Sequence, residues 1–161
     1  MNPELMRRVA KISGREYGFL RSLAEDSYLN LDAVEGLLKK VVADRMELAR
    51  QYLNFAKAIR DDSEFHFRQI ISRGYYAMHH AARAVIFESR REDIASHEDI
   101  IREIERIFGR ETSKILKEQL RLRNNVEYEV YIKFDIEDLA QQSVLIATDF
   151  VSKCDDYLKR R

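Results

Sequence analysis

Apolar and very small residues recur at helical spacing around almost the whole circumference of the stretch from Ser72 to Phe87. Ile71, Tyr75, Met78, Ala82 and Val85 form one apolar stripe. Gly74, Ala77, Ala81 and Ala84 form a second, made of side chains small enough to let another helix backbone approach closely. A third line, Ser72, Tyr76, His80, Arg83 and Phe87, is polar and apolar by turns. A helix with so little polar surface belongs inside a protein, touched on several sides, so the pattern predicts a central helix with the rest of the chain wrapped around it.

The flanking patterns supply the wrapping. Asn2-Pro3-Glu4 is a helix-start signal, with a capping residue, proline at the first helical position and an acid in the first turn. Leu5, Val9, Ile12, Leu20, Leu23 and Tyr28 then form an apolar face broken by Gly14 and Gly18, which predicts one or two helices that cover the bundle or serve a partner chain. From Asp32, read as a cap with Glu35 completing a capping box, Val34, Leu38, Val41, Leu48, Tyr52, Phe55 and Ile59 mark a long amphipathic helix in which only Arg45 breaks the apolar line. Asp61-Asp62-Ser63 is the turn into the central helix, which ends near Ser89-Arg91; two long helices with so short a connection pack as an antiparallel hairpin. Ser96 opens a short helix with Ile100, Ile101, Ile104 and Phe108 on one face, stopped at Gly109. Thr112 or Ser113 is expected to cap the next, which reaches Arg123 and Asn124-Asn125. Glu127 to Phe134 alternates and is assigned to an extended loop, and Asp135 caps a final helix through Ile136, Leu139, Ala147, Phe150, Cys154 and Tyr157.

Composition narrows this to an all-α fold: an up-and-down antiparallel bundle of four to five main helices with an extra N-terminal helical segment. One proline and five glycines in 161 residues leave little for hairpin turns, and 45% hydrophobic residues suffice for one domain with a substantial core. Lysine plus arginine (28) equals aspartate plus glutamate (28), so any nucleic-acid contact must come from a local patch. No apolar run approaches the roughly 18 residues that span a bilayer, and charges begin at Glu4, so a cytoplasmic protein without membrane contact is expected. The single cysteine, Cys154, lies on an apolar stripe and reads as a small buried hydrophobe.

The chemistry-bearing residues exclude more than they include. His79 and His80 are about 100° apart on one helix and cannot share a metal ion, and neither has a His or Cys partner one turn on. No metal and no cofactor is expected. There is no nucleophile elbow, and the scattered glycines form no phosphate-cradling loop. Arg110, Lys114, Lys117 and Arg121 follow spacings of four, three and four and line one helix face toward Arg123, suited to an RNA backbone but diluted by Glu111 and Glu118.

Three motifs carry a family likeness. The central helix reads Ser72-Arg73-Gly74-Tyr75-Tyr76-Ala77-Met78-His79-His80-Ala81-Ala82, a histidine-led short helix follows at His97, and then comes Arg123-Asn124-Asn125-Val126-Glu127-Tyr128. In that order they resemble the prokaryotic branch of the HEPN superfamily, small all-α nucleotide-binding domains, over roughly Val42 to Tyr157. The resemblance implies an N-terminal helical extension over residues 1–40 and a HEPN-like bundle over 41–161, packed as one domain. It also implies a homodimer, a nucleotidyltransferase as partner in a toxin-antitoxin-like pair, and RNA or a nucleotide as ligand.

Active HEPN ribonucleases pair an arginine with a histidine across four to six intervening residues, and the pair needs no metal: the guanidinium stabilises the phosphorane charge and the imidazole moves the 2′-hydroxyl proton. Arg123 matches the first half. After four intervening residues this chain has Tyr128, and no histidine follows it anywhere. A phenol with a pKa near 10 is a poor general base. The resemblance therefore implies a module with little or no catalysis, and the alternative is a metal-independent endoribonuclease using Arg123 with Glu127, Tyr128 or a distant histidine. Arg73, Tyr76, His80, His97, Asn124, Lys117 and Arg121 are the expected nucleotide or RNA contacts.

Overall fold

The computed structural model describes residues 2–131 and 135–161. Among them the chain is helical throughout, with α1 (Pro3–Val9), α2 (Gly14–Glu25), α3 (Leu31–Ala58), α4 (Glu64–Arg90), α5 (His97–Phe108), α6 (Arg110–Tyr128) and α7 (Ile136–Lys159), and no strand. No helix among the described residues is long and apolar enough to cross a membrane.

Short polar side chains set most of the starts. Asn2, Ser13, Asn30, Ser63, Ser96 and Asp135 each accept a hydrogen bond from a backbone N–H in the first turn that follows, and Ser13 forms a reciprocal capping box with Glu16. Two starts differ from expectation. Asn30, not Asp32, caps α3, because its side chain reaches the Ala33 N–H at 3.1 Å and leaves Asp32 in the first turn. α6 begins at Arg110 without any side-chain cap: Gly109 takes φ +88°, and the chain turns directly from α5 into α6. Thr112 and Ser113 are instead buried, their hydroxyls donating to the Phe108 and Arg110 carbonyls. α6 also runs further than expected, so Glu127 and Tyr128 are helical and not part of an extended loop; Ile132 and Phe134, read as its apolar positions, lie outside the described residues.

α4 is the buried centre. It packs against α3, α5, α6 and α7, and its residues from Ile70 to Phe87 are nearly all enclosed. Leu38, Met46 and Ala49 of α3 and Ala147, Phe150 and Cys154 of α7 complete the main core, which Ile12 joins from the segment between α1 and α2. Burial pushes the Cys154 thiol pKa well above its ordinary value, which keeps it a neutral packing group.

The small-residue stripe has the role its composition predicts. Gly74 faces α7, where an added Cβ would meet the Ser143 carbonyl oxygen at 3.5 Å and the Ala147 methyl at 3.7 Å, ordinary contact distances. One methyl fits there and a branched side chain does not. Gly74→Ala is expected to raise stability by about 0.5–1 kcal/mol through helix propensity. Gly74→Leu is expected to lower it by about 1–3 kcal/mol by forcing α4 and α7 apart. Urea unfolding of the two variants checks both signs.

Candidate functional site

The candidate site forms where the last turns of α6 lie against the polar line of α4. Arg123 donates from Nη2 to the Tyr76 hydroxyl at 2.6 Å and pairs with the Glu127 carboxylate at 2.9 Å, one helical turn on. Its Nη1 donates to the Asn124 side-chain carbonyl at 3.0 Å. The other Glu127 oxygen accepts a hydrogen bond from the Ser72 hydroxyl, which ties α6 to α4 a second time. Tyr76 and Tyr128 place their rings 5.2 Å and 5.7 Å from the guanidinium carbon, within cation–π range. Burial works against the Arg123 charge, but Glu127 and the two phenols outweigh it and hold the pKa above its ordinary value. Arg123 is therefore a permanently charged group whose two terminal nitrogens are already occupied, while its Nε is buried without a partner.

A histidine cluster adjoins it. His97, the first residue of α5, sits with Nδ1 2.6 Å from the buried Tyr75 hydroxyl. The His79 ring lies 4.8 Å from that of His97, and His80 stacks on Tyr52 at 5.3 Å. Burial first, then the neighbouring imidazoles of His97 and His80 and the charges of Arg83 and Arg45, push His79 down to about 3; burial with Arg83 and Arg45 pushes His80 down to about 4. Burial and the nearby Arg123 charge lower His97 as well. All three imidazoles are thus neutral at pH 7. Among the described residues no hydrogen bond joins a histidine to Arg123, and no group of three or more His, Cys, Asp or Glu side chains is placed to hold a metal ion.

Of the residues singled out in the sequence, Arg123, Glu127, Tyr128, Asn124 and Tyr76 come together in one cluster. His80 and Arg73 join it through Tyr52, whose ring packs on Tyr76 at 5.6 Å and lies 5.9 Å below the Arg73 guanidinium. His97 reaches it through Tyr75, whose ring is 5.7 Å from that of Tyr76. Lys117 and Arg121 do not join: both are exposed on α6 and make no ion pair among the described residues.

Sequence reading missed three participants. Tyr52 and Tyr75 read as core because their spacing is that of an apolar stripe. The third is Asp93, in the connection between α4 and α5. Its carboxylate accepts from Arg45 at 2.6 Å and from Arg83 at 2.6 and 2.8 Å, while Arg45 also donates to the Ala10 carbonyl at 2.7 Å. The one detectable signal was Arg45 itself, a cation inside an apolar repeat.

No protein-family model matches the chain, and no curated protein resembles it significantly. The site offers a fixed positive charge, two phenols and neutral imidazoles whose protons are engaged or buried, which suits binding and orientation better than proton transfer.

Proposed function

We propose that this chain is a HEPN-like module: an up-and-down antiparallel bundle that works as a homodimer, binds a nucleotidyltransferase as partner in a toxin-antitoxin-like pair, and contacts RNA or a nucleotide with little or no catalysis of its own. The observation that carries this reading is the engagement of Arg123. A guanidinium that must stabilise a phosphorane in its transition state needs free N–H groups aimed at the substrate. Here Tyr76 and Glu127 engage Nη2 and Asn124 takes one N–H of Nη1, so most of the terminal donors are turned inward, and the position where a histidine would serve as base holds Tyr128. The lengthwise packing of α3 on α4 and α4 on α7 supports the bundle arrangement.

A metal-independent endoribonuclease is the second reading, and one observation favours it. His97, far from Arg123 in sequence, meets the Tyr75 hydroxyl, and the Tyr75 ring lies 5.7 Å from that of Tyr76, the phenol to which Arg123 donates, so an imidazole stands two side chains from the arginine. RNA incubated with the purified chain in EDTA separates the two. The expected result is intact RNA, with a small nucleotidyltransferase co-expressed with this chain retained by it in a pull-down. Cleavage that disappears on Arg123→Ala, in a variant with unchanged helical content, would establish the ribonuclease instead.

A further inference from the structure

Arg73 is a charge without a counter-charge. Among the described residues no carboxylate lies within ion-pair distance of it, its one hydrogen bond is from Nη2 to the Gln69 side-chain oxygen at 3.2 Å, and its Nε is buried without a partner. The rings of Tyr52 and Phe55 flank the guanidinium at 5.9 and 5.7 Å. Arg73 borders two adjoining clefts, one shared with Phe55 and Phe65, the other with Phe65, Tyr128, Glu129 and Val130.

This face also gathers much of the apolar surface the fold leaves open. Phe55 is 55% exposed, Phe65 65%, Tyr128 72%, Val130 76% and Tyr131 88%. Scattered exposed apolar residues need no explanation, but several large ones around a shared pair of clefts mark an interaction surface. Arg68, the neighbouring cation, is not available to a ligand. It pairs with Glu64 at 2.5 Å and donates to the Val126, Glu129 and Val130 carbonyls, so it pins the backbone that follows α6. The backbone at Glu129 and Val130 is thereby held in place with both side chains exposed, and Glu129 makes no ion pair among the described residues.

We propose that a second copy of this chain docks here, with each protomer's Arg73 receiving the Glu129 carboxylate of the other and the Phe55–Phe65 clefts receiving Val130 and Tyr131. The patch carries one unpaired cation and one unpaired anion beside exposed apolar groups, and a two-fold interface requires that self-complementarity, because each contact is made twice in reverse. RNA fits it less well. A strand brings one phosphate per nucleotide, while among the described residues lining the clefts Arg73 is the one cation without an ion pair, and Glu127 and Glu129 border the same surface. The inference rests on the dimeric reading above and specifies its face.

Sedimentation velocity on the full chain tests it by charge reversal. Wild type is expected to sediment as a dimer. Arg73→Glu and Glu129→Arg should each weaken dimerisation by at least about tenfold through like-charge contact, and the double variant should recover it. Circular dichroism confirms folding; should Arg73→Glu unfold, Glu129→Arg at its exposed position still tests the contact alone. A dimer indifferent to Glu129→Arg overturns this face and leaves the dimeric reading standing. A wild-type monomer overturns both. RNA binding lost on Arg73→Glu with dimerisation unchanged would assign the face to RNA and overturn the proposal equally.

Discussion

Asp93→Ala is expected to be the most damaging single substitution outside the apolar core, lowering stability by about 3–5 kcal/mol. Three charged side chains meet there with little water. Arg45 is 11% exposed, Asp93 12% and Arg83 22%. Burial penalises the Asp93 charge, yet the two guanidiniums overcome it and hold its carboxyl below the usual carboxylate range. Removing the carboxylate leaves two like charges facing each other in a desolvated pocket, and the cost is that uncompensated pair rather than the loss of one favourable contact.

The damage should be local before it is global. Arg45 also donates to the Ala10 carbonyl, and the Asp93 backbone N–H donates to the Ile12 carbonyl at 2.9 Å. The same residues therefore fasten the α1–α2 segment to the bundle. In a chain of this size the predicted loss corresponds to a fall in Tm of about 6–20 °C, and limited proteolysis should cut near Lys11 well below the melting temperature. Replacing Asp93 with Ala while Arg45 and Arg83 become Met removes the stranded charges and is expected to recover most of the loss. A Tm change under about 2 °C in the single variant would mean that water or rearrangement neutralises the arginines and that the network contributes little.

This network also shows what can and cannot be read from one sequence. The helices were legible because their signals are local: capping side chains lie within three residues of the N–H groups they satisfy, and apolar periodicity reports burial one turn at a time. The enclosure of α4 follows from its composition alone. The Arg123–Glu127 pair was legible for the same reason, being one turn apart. Tyr76 meets Arg123 across 47 positions of chain, and His79 meets His97 only because α5 folds back beside α4. No local pattern encodes such meetings. Asp93 sits in an unpatterned polar connection, so Arg45 announced that a partner existed without naming it. The start of α6 was misplaced because Gly109 makes the turn by backbone conformation, and residues with capping side chains stood nearby as decoys. The basic run through Lys117 and Arg121 was legible as a spacing, and it lies on an exposed face of α6 apart from the Arg123 cluster.

Acid should unfold this protein earlier than its carboxylates alone would. His79 is 7% exposed, with its Nδ1 unpartnered, and it is faced by the imidazoles of His80 and His97, the Tyr75 ring and the charges of Arg83 and Arg45. Nothing there welcomes a second positive charge. In the unfolded chain each imidazole titrates near its ordinary value of about 6.5. In the folded chain His79 does so only at about 3 and His80 at about 4. The unfolded state therefore binds more protons throughout the interval, and stability rises with pH across it. Their neutral forms cost nothing above about pH 7; as pH falls below 6.5 stability declines, by on the order of 2 kcal/mol for each imidazole at about pH 5. Asp93, whose folded pKa is depressed, adds to the decline from about pH 5 downward, as its unfolded carboxyl begins to protonate. Urea unfolding at pH 7.5 and pH 5 should accordingly differ by several kcal/mol, and His79→Gln should remove about half of the difference while keeping the helical content. A stability that is flat across that interval, or that rises toward acid, would show that the cluster opens to water and accepts protons without unfolding the helices around it.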